Sequence, residues 1–306
     1  MARGELLVLG ASGFLGPHLV AAAMKAGWCV SAASRTPSRA PRIDGQAPDA
    51  EVDWNAESAG ATVGLIDGVR PGAIVLAAAL ARVDACERDP ARAFALNAEL
   101  PRAVARLARA RGIRLVHVST DLVFGARPAR EARYSEADAP SPVHVYGRSK
   151  AEGEAGALAE NPAALVVRLP LLYGDSGGRG LGASDQLLVA LARGERPALF
   201  TDEWRTPLEV GNAARALVEC LARDERGFLH VAGPERLNRL ELGLAILAAR
   251  GLTPAEAAER VRAALRADLG LAELRPRDAC LDASRARALL ATPLRAPRAA
   301  LTGALP

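Results

Sequence analysis

Short, largely apolar runs recur through the first half of the chain, at residues 6–9, 29–33, 73–76, 113–118 and 165–167, with a briefer one at 51–53. Runs of this length fit strands better than helices, and strands covered on both faces lose the in-and-out alternation of a half-exposed sheet. Between them lie stretches of helical character: Gly16 to about Ala26, 58–69, 90–111 with a break near Pro101, and about 142–160. Strand–helix alternation joined by right-handed crossovers predicts an α/β fold built on a doubly wound parallel sheet.

Beyond Arg168 the rhythm changes. A Gly-rich loop at 174–182 is followed by a helix at 185–193, a short strand near Ala198, a helix at 212–222, a strand at 228–231 and helices at 240–250 and 255–267. This reads as two units: residues 1–168 as a dinucleotide-binding domain, and 169–306 as a smaller C-terminal substrate-binding domain. A segment at about 208–224 is expected to pack back on the first unit. A Pro-rich loop at 37–48 and a second loop holding Pro128, Tyr134, Glu136 and Pro140 connect elements of the first half.

The first strand runs directly into Gly10-Ala11-Ser12-Gly13-Phe14-Leu15-Gly16, which opens a helix. Gly10 permits a tight turn, Gly13 lets a pyrophosphate approach the backbone, and Gly16 lets helix and strand pack closely, with the helix N-terminus facing the phosphates. Ser12, Phe14 and Leu15 belong to the same expected cofactor-binding loop, and the sheet is expected to be of Rossmann type. The second strand ends in Ser34-Arg35, where an NAD site would usually carry an acid for the ribose 2′-hydroxyl. A serine and an arginine suit a 2′-phosphate instead, so NADP(H) is expected, with NAD(H) as the alternative. Asp53, ending the third strand, could reach an adenine amino group. The run Ala77-Ala78-Ala79 after the fourth strand would let backbone lie against a cofactor, or serve close helix–strand packing.

Tyr146 and Lys150 stand four residues apart, on one face of the helix expected there. An ammonium beside a phenol favours the phenolate, so the tyrosine is expected to titrate below its usual range and exchange a proton with a carbonyl or alcohol oxygen. Only Lys25 and Lys150 among the 39 basic residues are lysines, so a lysine at 150 is informative in a chain that otherwise uses arginine. Ser119-Thr120-Asp121 follows the fifth strand, at the sheet edge where such folds bind ligands, and a hydroxyl there can bond a substrate carbonyl. Arg168 and Arg205 are candidates for a substrate diphosphate through bidentate bonds, with ordinary salt bridges as the alternative. His117 and His230 lie on apolar strands and are expected in the core.

With 306 residues and half of them hydrophobic, the chain is long enough for a large buried core. Net charge is +4, from 39 basic and 35 acidic residues. The arginines are interspersed with Ala, Leu and Glu rather than gathered in an aromatic-rich basic strip, which argues against a nucleic-acid partner. Cys29, Cys86, Cys220 and Cys280 form no CxxC and have no histidine at ligand spacing, so reduced thiols and no metal site are expected. No apolar run approaches the length of a membrane span, and the N-terminal apolar segment is interrupted by glycines as a signal peptide's core would not be. A soluble cytoplasmic protein without a membrane partner is the expectation, with a homodimer left open.

The segments GASGFLG at 10–16, AAALARVDACERDPARAFALNA at 77–98, VHVSTDLVFGA at 116–126, YSEADAPSPVHVYGRSKAEGE at 134–154 and RLPLLYG at 168–174 resemble an extended short-chain dehydrogenase/reductase. More narrowly they are similar to dTDP-4-dehydrorhamnose reductase and related sugar-nucleotide reductases. Leu76 departs from the Asn often found there, and Leu122 from the Tyr. The resemblance implies a Thr120/Tyr146/Lys150 catalytic set, with Tyr146 and Lys150 also touching the cofactor. It implies Gly10, Gly13 and Gly16 at the pyrophosphate, Arg35 and Asp53 at the adenosine end, and Ala77, Ala78 and Asn97 near the nicotinamide half. The implied reaction is hydride transfer from NADPH to a keto carbon of a nucleotide-linked sugar, with Tyr146 as general acid and Thr120 bonding the substrate oxygen. Two alternatives stand beside it. One is a non-catalytic cofactor-binding regulatory subunit resembling the methionine adenosyltransferase beta subunit; the other is a nucleotide-sugar epimerase or dehydratase.

Overall fold

The computed structural model describes residues 4–36, 42–125, 133–298 and 300. Pro37 and its neighbours to residue 41, and Pro128, therefore lie outside the described residues. The chain forms β1 (Glu5–Leu9), α1 (Gly16–Lys25), β2 (Cys29–Ser34), β3 (Ala50–Asp53), α2 (Ala59–Val69), β4 (Ala73–Leu76), α3 (Val83–Arg88), α4 (Pro90–Phe94), α5 (Leu100–Ala110), β5 (Arg114–Thr120), α6 (Val145–Glu160) and β6 (Leu165–Leu169). There follow β7 (Leu172–Tyr173), α7 (Ala183–Ala192), β8 (Ala198–Phe200), β9 (Trp204–Arg205), β10 (Leu208–Glu209), α8 (Val210–Leu221), β11 (Gly227–His230), β12 (Leu237–Asn238), α9 (Arg239–Ala249), α10 (Pro254–Arg260), β13 (Arg262–Ala264) and α11 (Ser284–Leu289).

Seven strands form one parallel sheet in the order β11-β6-β5-β4-β1-β2-β3. β1 and β4 are buried along nearly their whole length, which is why their sequences are unbroken apolar runs. On one face Leu6, Val8 and Val30 meet Leu19 and Val20 of α1 and Ala213, Leu217 and Cys220 of α8. On the other, Leu7, Leu9 and Ile74 meet Ile66 of α2 and Leu100, Val104 and Ala108 of α5. Each fully buried Leu, Ile or Val among them contributes about 1.5–3 kcal/mol, so helices on both faces hold the sheet in place. A smaller cluster built on Tyr173, Leu187, Leu242 and Ile246 lies in the second half of the chain.

The strand order reverses at β1/β4, the switch point beyond which open α/β sheets bind ligands. Three local expectations change. Phe228 to Val231, read as part of the smaller unit, instead supplies β11, the edge strand beside β6. The helix expected at 255–267 stops at Arg260, because Arg262–Ala264 pairs with Ala198–Phe200; a non-local ladder overrides helical spacing. The long helix at 90–111 is interrupted earlier than expected, by a π turn over Ala95–Glu99. Pro101 is the cause, since it has no N–H to give to the Asn97 carbonyl four residues before it.

Candidate active site

The carboxyl ends of three strands meet at the glycine turn. Leu9 stands opposite Ala33 of β2 and Leu76 of β4. The N–H groups of Gly10 and Ala11 both donate to the Ala33 carbonyl (2.9 and 3.1 Å), and Ala77 N–H donates to Leu9 O (2.9 Å). Gly10 has φ +97°, and a Cβ there would stand 2.5 Å from Ala78 N, so the Ala77–Ala79 run packs on the turn itself. A Cβ on Gly16 would stand 2.3 Å from Ala11 O, the close approach expected of that position. Gly13 is exposed, and a Cβ there would meet only Gly10 O within 4 Å, at 3.3 Å. Ser12 and Phe14 are half-buried around it, while Leu15 is buried and begins α1 without any side-chain cap. The start of α1 therefore has no side-chain cap and lies beside an exposed glycine, an arrangement that suits a pyrophosphate.

Ser34 and Asp53 are register partners on β2 and β3, and Arg35 follows Ser34 into solvent. The Ser34 hydroxyl is buried without a hydrogen-bond partner, and Asp53 is exposed. The sheet thus brings all three residues expected at the adenosine end to one corner, with an orphaned hydroxyl among them.

Thr120 ends β5, Tyr146 lies in the first turn of α6, and Lys150 follows one turn later. His144 fixes where this helix begins: its Nδ1 accepts from Gly147 N–H (2.9 Å), while Glu87 accepts from Val145 N–H (2.7 Å). The Thr120 hydroxyl acts on the Tyr146 phenol, favouring its ionised form. It also donates to the Asp121 carboxylate (3.1 Å) and takes the N–H of Leu122 (3.2 Å). Lys150 points toward β5, donating to Val118 O at 2.8 Å with His117 Nε2 at 3.5 Å.

The electrostatics differ from the expectation of a phenol made more acidic by Lys150. Burial raises the Tyr146 pKa above its ordinary value, the Thr120 hydroxyl opposes this, and the Asp121 charge adds to it. Burial also lowers Lys150 to about 8, with Glu154 opposing. Asp121 rises to about 6, again through burial, with Arg205 opposing. Desolvation outweighs pairwise attraction here because all three groups are deep in the protein.

Three expected ligand contacts act elsewhere. Asn97 is fully buried and its amide is spent on protein: Oδ1 accepts from Leu80 N–H (2.9 Å), and Nδ2 donates to Leu80 O (3.1 Å) and Ser149 Oγ (3.0 Å). It braces the loop after β4 against the Tyr146 helix rather than reaching toward a ligand. Arg168, 1% exposed, makes a two-pronged pair with Glu154 (2.9 and 2.7 Å), meets His230 Nε2 (3.3 Å) and lies between the Phe124 and Phe228 rings. Arg205, 4% exposed, donates to Trp204 O and Pro276 O and faces Asp121 (3.4 Å) and Glu203 (3.6 Å). Neither guanidinium is presented to a diphosphate; the ordinary salt-bridge alternative describes both, because a buried charge must be paired. His117 and His230 are buried, as expected. The sequence reading assigned no role to Glu87, His144 or Glu154. Glu154 lies four residues after Lys150 on the same helix face, a spacing that could have drawn attention to it.

The four cysteines are free. Among the described residues, no helix is long and apolar enough to cross a membrane, and no group of three or more His, Cys, Asp or Glu residues could hold a metal ion.

A glycine turn at the switch point of a seven-stranded parallel sheet, in a chain matched along its length by the RmlD family model, marks an extended short-chain dehydrogenase/reductase. Within that class the chain belongs to the family described as RmlD substrate binding domain, whose model matches residues 4–306. It is 33% identical over 279 residues to the probable low-salt glycan biosynthesis reductase Agl14 of Haloferax volcanii, covering 90% of this chain and 89% of that protein. It is 32% identical over 312 residues to dTDP-4-dehydrorhamnose reductase of Mycobacterium tuberculosis, covering 99% and 93%. The same fold occurs in the crystal structure of dTDP-4-dehydrorhamnose reductase from Bacillus anthracis in complex with NADP, with a TM-score of 0.82, 21% identity and 98% of each chain covered.

Proposed function

We propose that this protein is an NADP(H)-dependent reductase acting on a keto group of a nucleotide-linked sugar, with Tyr146 as general acid. The observation that carries the reading is the meeting of Thr120, at the carboxyl end of β5, with Tyr146 and Lys150, buried one turn apart on α6, where Lys150 donates to Val118 O of the same strand. The uncapped start of α1, the open Gly13 and the orphaned Ser34 hydroxyl fit a dinucleotide with a 2′-phosphate. The cofactor supplies the hydride when bound; the protein supplies position and a proton.

A phenol whose pKa is raised stays protonated at neutral pH and is ready to give its proton to an oxygen that gains negative charge. Thr120 acts on the acidity of that phenol and offers a second hydroxyl to the same substrate oxygen. Lys150, held near neutral titration by burial, can return a proton to Tyr146 or hold the ribose hydroxyls. Gly10, Gly13 and Gly16, with Ser12, Phe14 and Leu15, would take the pyrophosphate, Ser34, Arg35 and Asp53 the adenosine end, and Ala77 to Ala79 the nicotinamide half.

The test is a panel of nucleotide-linked keto sugars assayed by loss of NADPH absorbance. Oxidation of NADPH by one of them supports the reading. Binding of NADPH with no oxidation by any of them would sink it in favour of a regulatory cofactor-binding subunit. Tightly retained NAD that does not exchange would point to an epimerase or dehydratase instead.

A further inference from the structure

The segment between β7 and α7 crosses onto the glycine turn. Arg179 donates from Nη1 to the carbonyl of Ser12 (2.7 Å), from Nη2 to that of Gly13 (3.3 Å) and from Nε to Ser176 O (2.7 Å). Two further contacts hold the same segment to the same turn and helix. His18 Nε2 donates to Asp175 O at 2.8 Å, and Gly182, at φ +83°, lies so close to the Phe14 ring that a Cβ would stand 2.4 Å from it. The segment is also braced internally. The Ser176 hydroxyl bonds to the Asp185 carboxylate, which also accepts from Gly180 N–H (3.2 Å), and Leu181 N–H donates to Ser176 Oγ (3.2 Å).

In a trans peptide the C=O and N–H point in opposite directions. A guanidinium that holds the carbonyls of Ser12 and Gly13 therefore fixes the two peptide planes that set the directions of the Gly13 and Phe14 N–H groups, the first of which closes the turn by donating to Gly10 O (3.1 Å). It also brings a full positive charge to a turn where the start of α1 already carries partial positive charge. Asp175 and Asp185 act on Arg179 through space and partly offset its charge. Their own hydrogen bonds go to Gly177 N–H (2.7 Å) for Asp175 and to Ser176 and Gly180 for Asp185, so the guanidinium's bonds are spent on the turn and Ser176 O.

We infer that Arg179 is a positioning residue for the cofactor: reaching across from the second half of the chain, it holds the glycine turn in the shape that takes a pyrophosphate and adds charge that favours it. This rests on the dinucleotide reading proposed above. It makes affinity for the dinucleotide depend on a segment outside the first 168 residues.

The test is binding of NADPH to the full chain, followed by NADPH fluorescence at two salt concentrations, with adenosine 2′-monophosphate as a competitor that lacks the pyrophosphate. Arg179→Gln is expected to raise the Kd for NADPH about tenfold, the scale of one charge-assisted contact. Its Kd should also rise less steeply with salt, while competition by adenosine 2′-monophosphate stays unchanged. Arg179→Lys keeps the charge without the fork and is expected to fall between the two. Should the Gln variant not fold, the Lys variant carries the test, and an unraised Kd overturns the inference. An unchanged Kd in Arg179→Gln overturns it as well, as does equal weakening of both ligands, which would mark a general distortion. Wild-type protein that takes no NADPH would remove the dinucleotide reading itself. Tight wild-type binding that is indifferent to Arg179 would remove this inference alone.

Discussion

The carbonyl oxygen of Asn97 lies 2.0 Å from where a Cβ on Gly153 would stand. The π turn forced by Pro101 and the glycine on α6 are therefore two halves of one contact, and that contact sets how closely the helix bearing Tyr146 and Lys150 approaches the rest of the domain. Gly153→Ala is expected to destabilise by about 1–3 kcal/mol, the usual cost of overpacking. It should also reduce turnover by shifting Tyr146 relative to Thr120. A denaturant midpoint equal to wild type would show that the helix can move away freely.

Tyr146→Phe removes the proton and leaves the ring. Turnover is expected to fall by about a hundredfold or more, while the Kd for NADPH changes little. Retained turnover would remove Tyr146 from the role of general acid.

Arg35 is exposed next to the orphaned Ser34 hydroxyl. Arg35→Ala is expected to weaken NADPH by about tenfold and NADH much less, because only the former carries a 2′-phosphate. Equal losses for the two cofactors, measured by titration, would refute the assignment.

Asp121 has a folded-state pKa raised from 3.8 to about 6. The folded protein therefore holds this proton more tightly than the unfolded chain. The associated stability is fully present below about pH 4 and is lost as pH rises through about 6. Asp121→Asn cannot titrate, so its Tm minus that of wild type should increase between pH 4 and pH 6 and level off above. A difference that is flat across that window would show that Asp121 ionises normally. The variant also removes a charge that holds the Tyr146 phenol up, so any residual turnover should have its basic limb at lower pH.

Much of the frame was legible because it is written in local spacing. Buried parallel strands must be apolar runs, a chain turning sharply under a neighbouring backbone needs Gly10, and four residues on a helix return Lys150 to the side of Tyr146. The adenosine corner was legible for a related reason: Ser34 and Asp53 each end a strand, and parallel neighbours bring their ends together.

What the spacing could not reveal was decided by partners distant in sequence. A lone arginine reads the same whether it faces a diphosphate or a buried carboxylate, and only tertiary packing brought Glu154 to Arg168 and Asp121 to Arg205. Likewise, β11 and β13 took their places by pairing with strands far along the chain. The sign of the Tyr146 shift was decided in the same way. Sequence determined that a phenol and an amine share a helix face, but the depth of burial, which only the folded chain possesses, made desolvation outweigh their attraction.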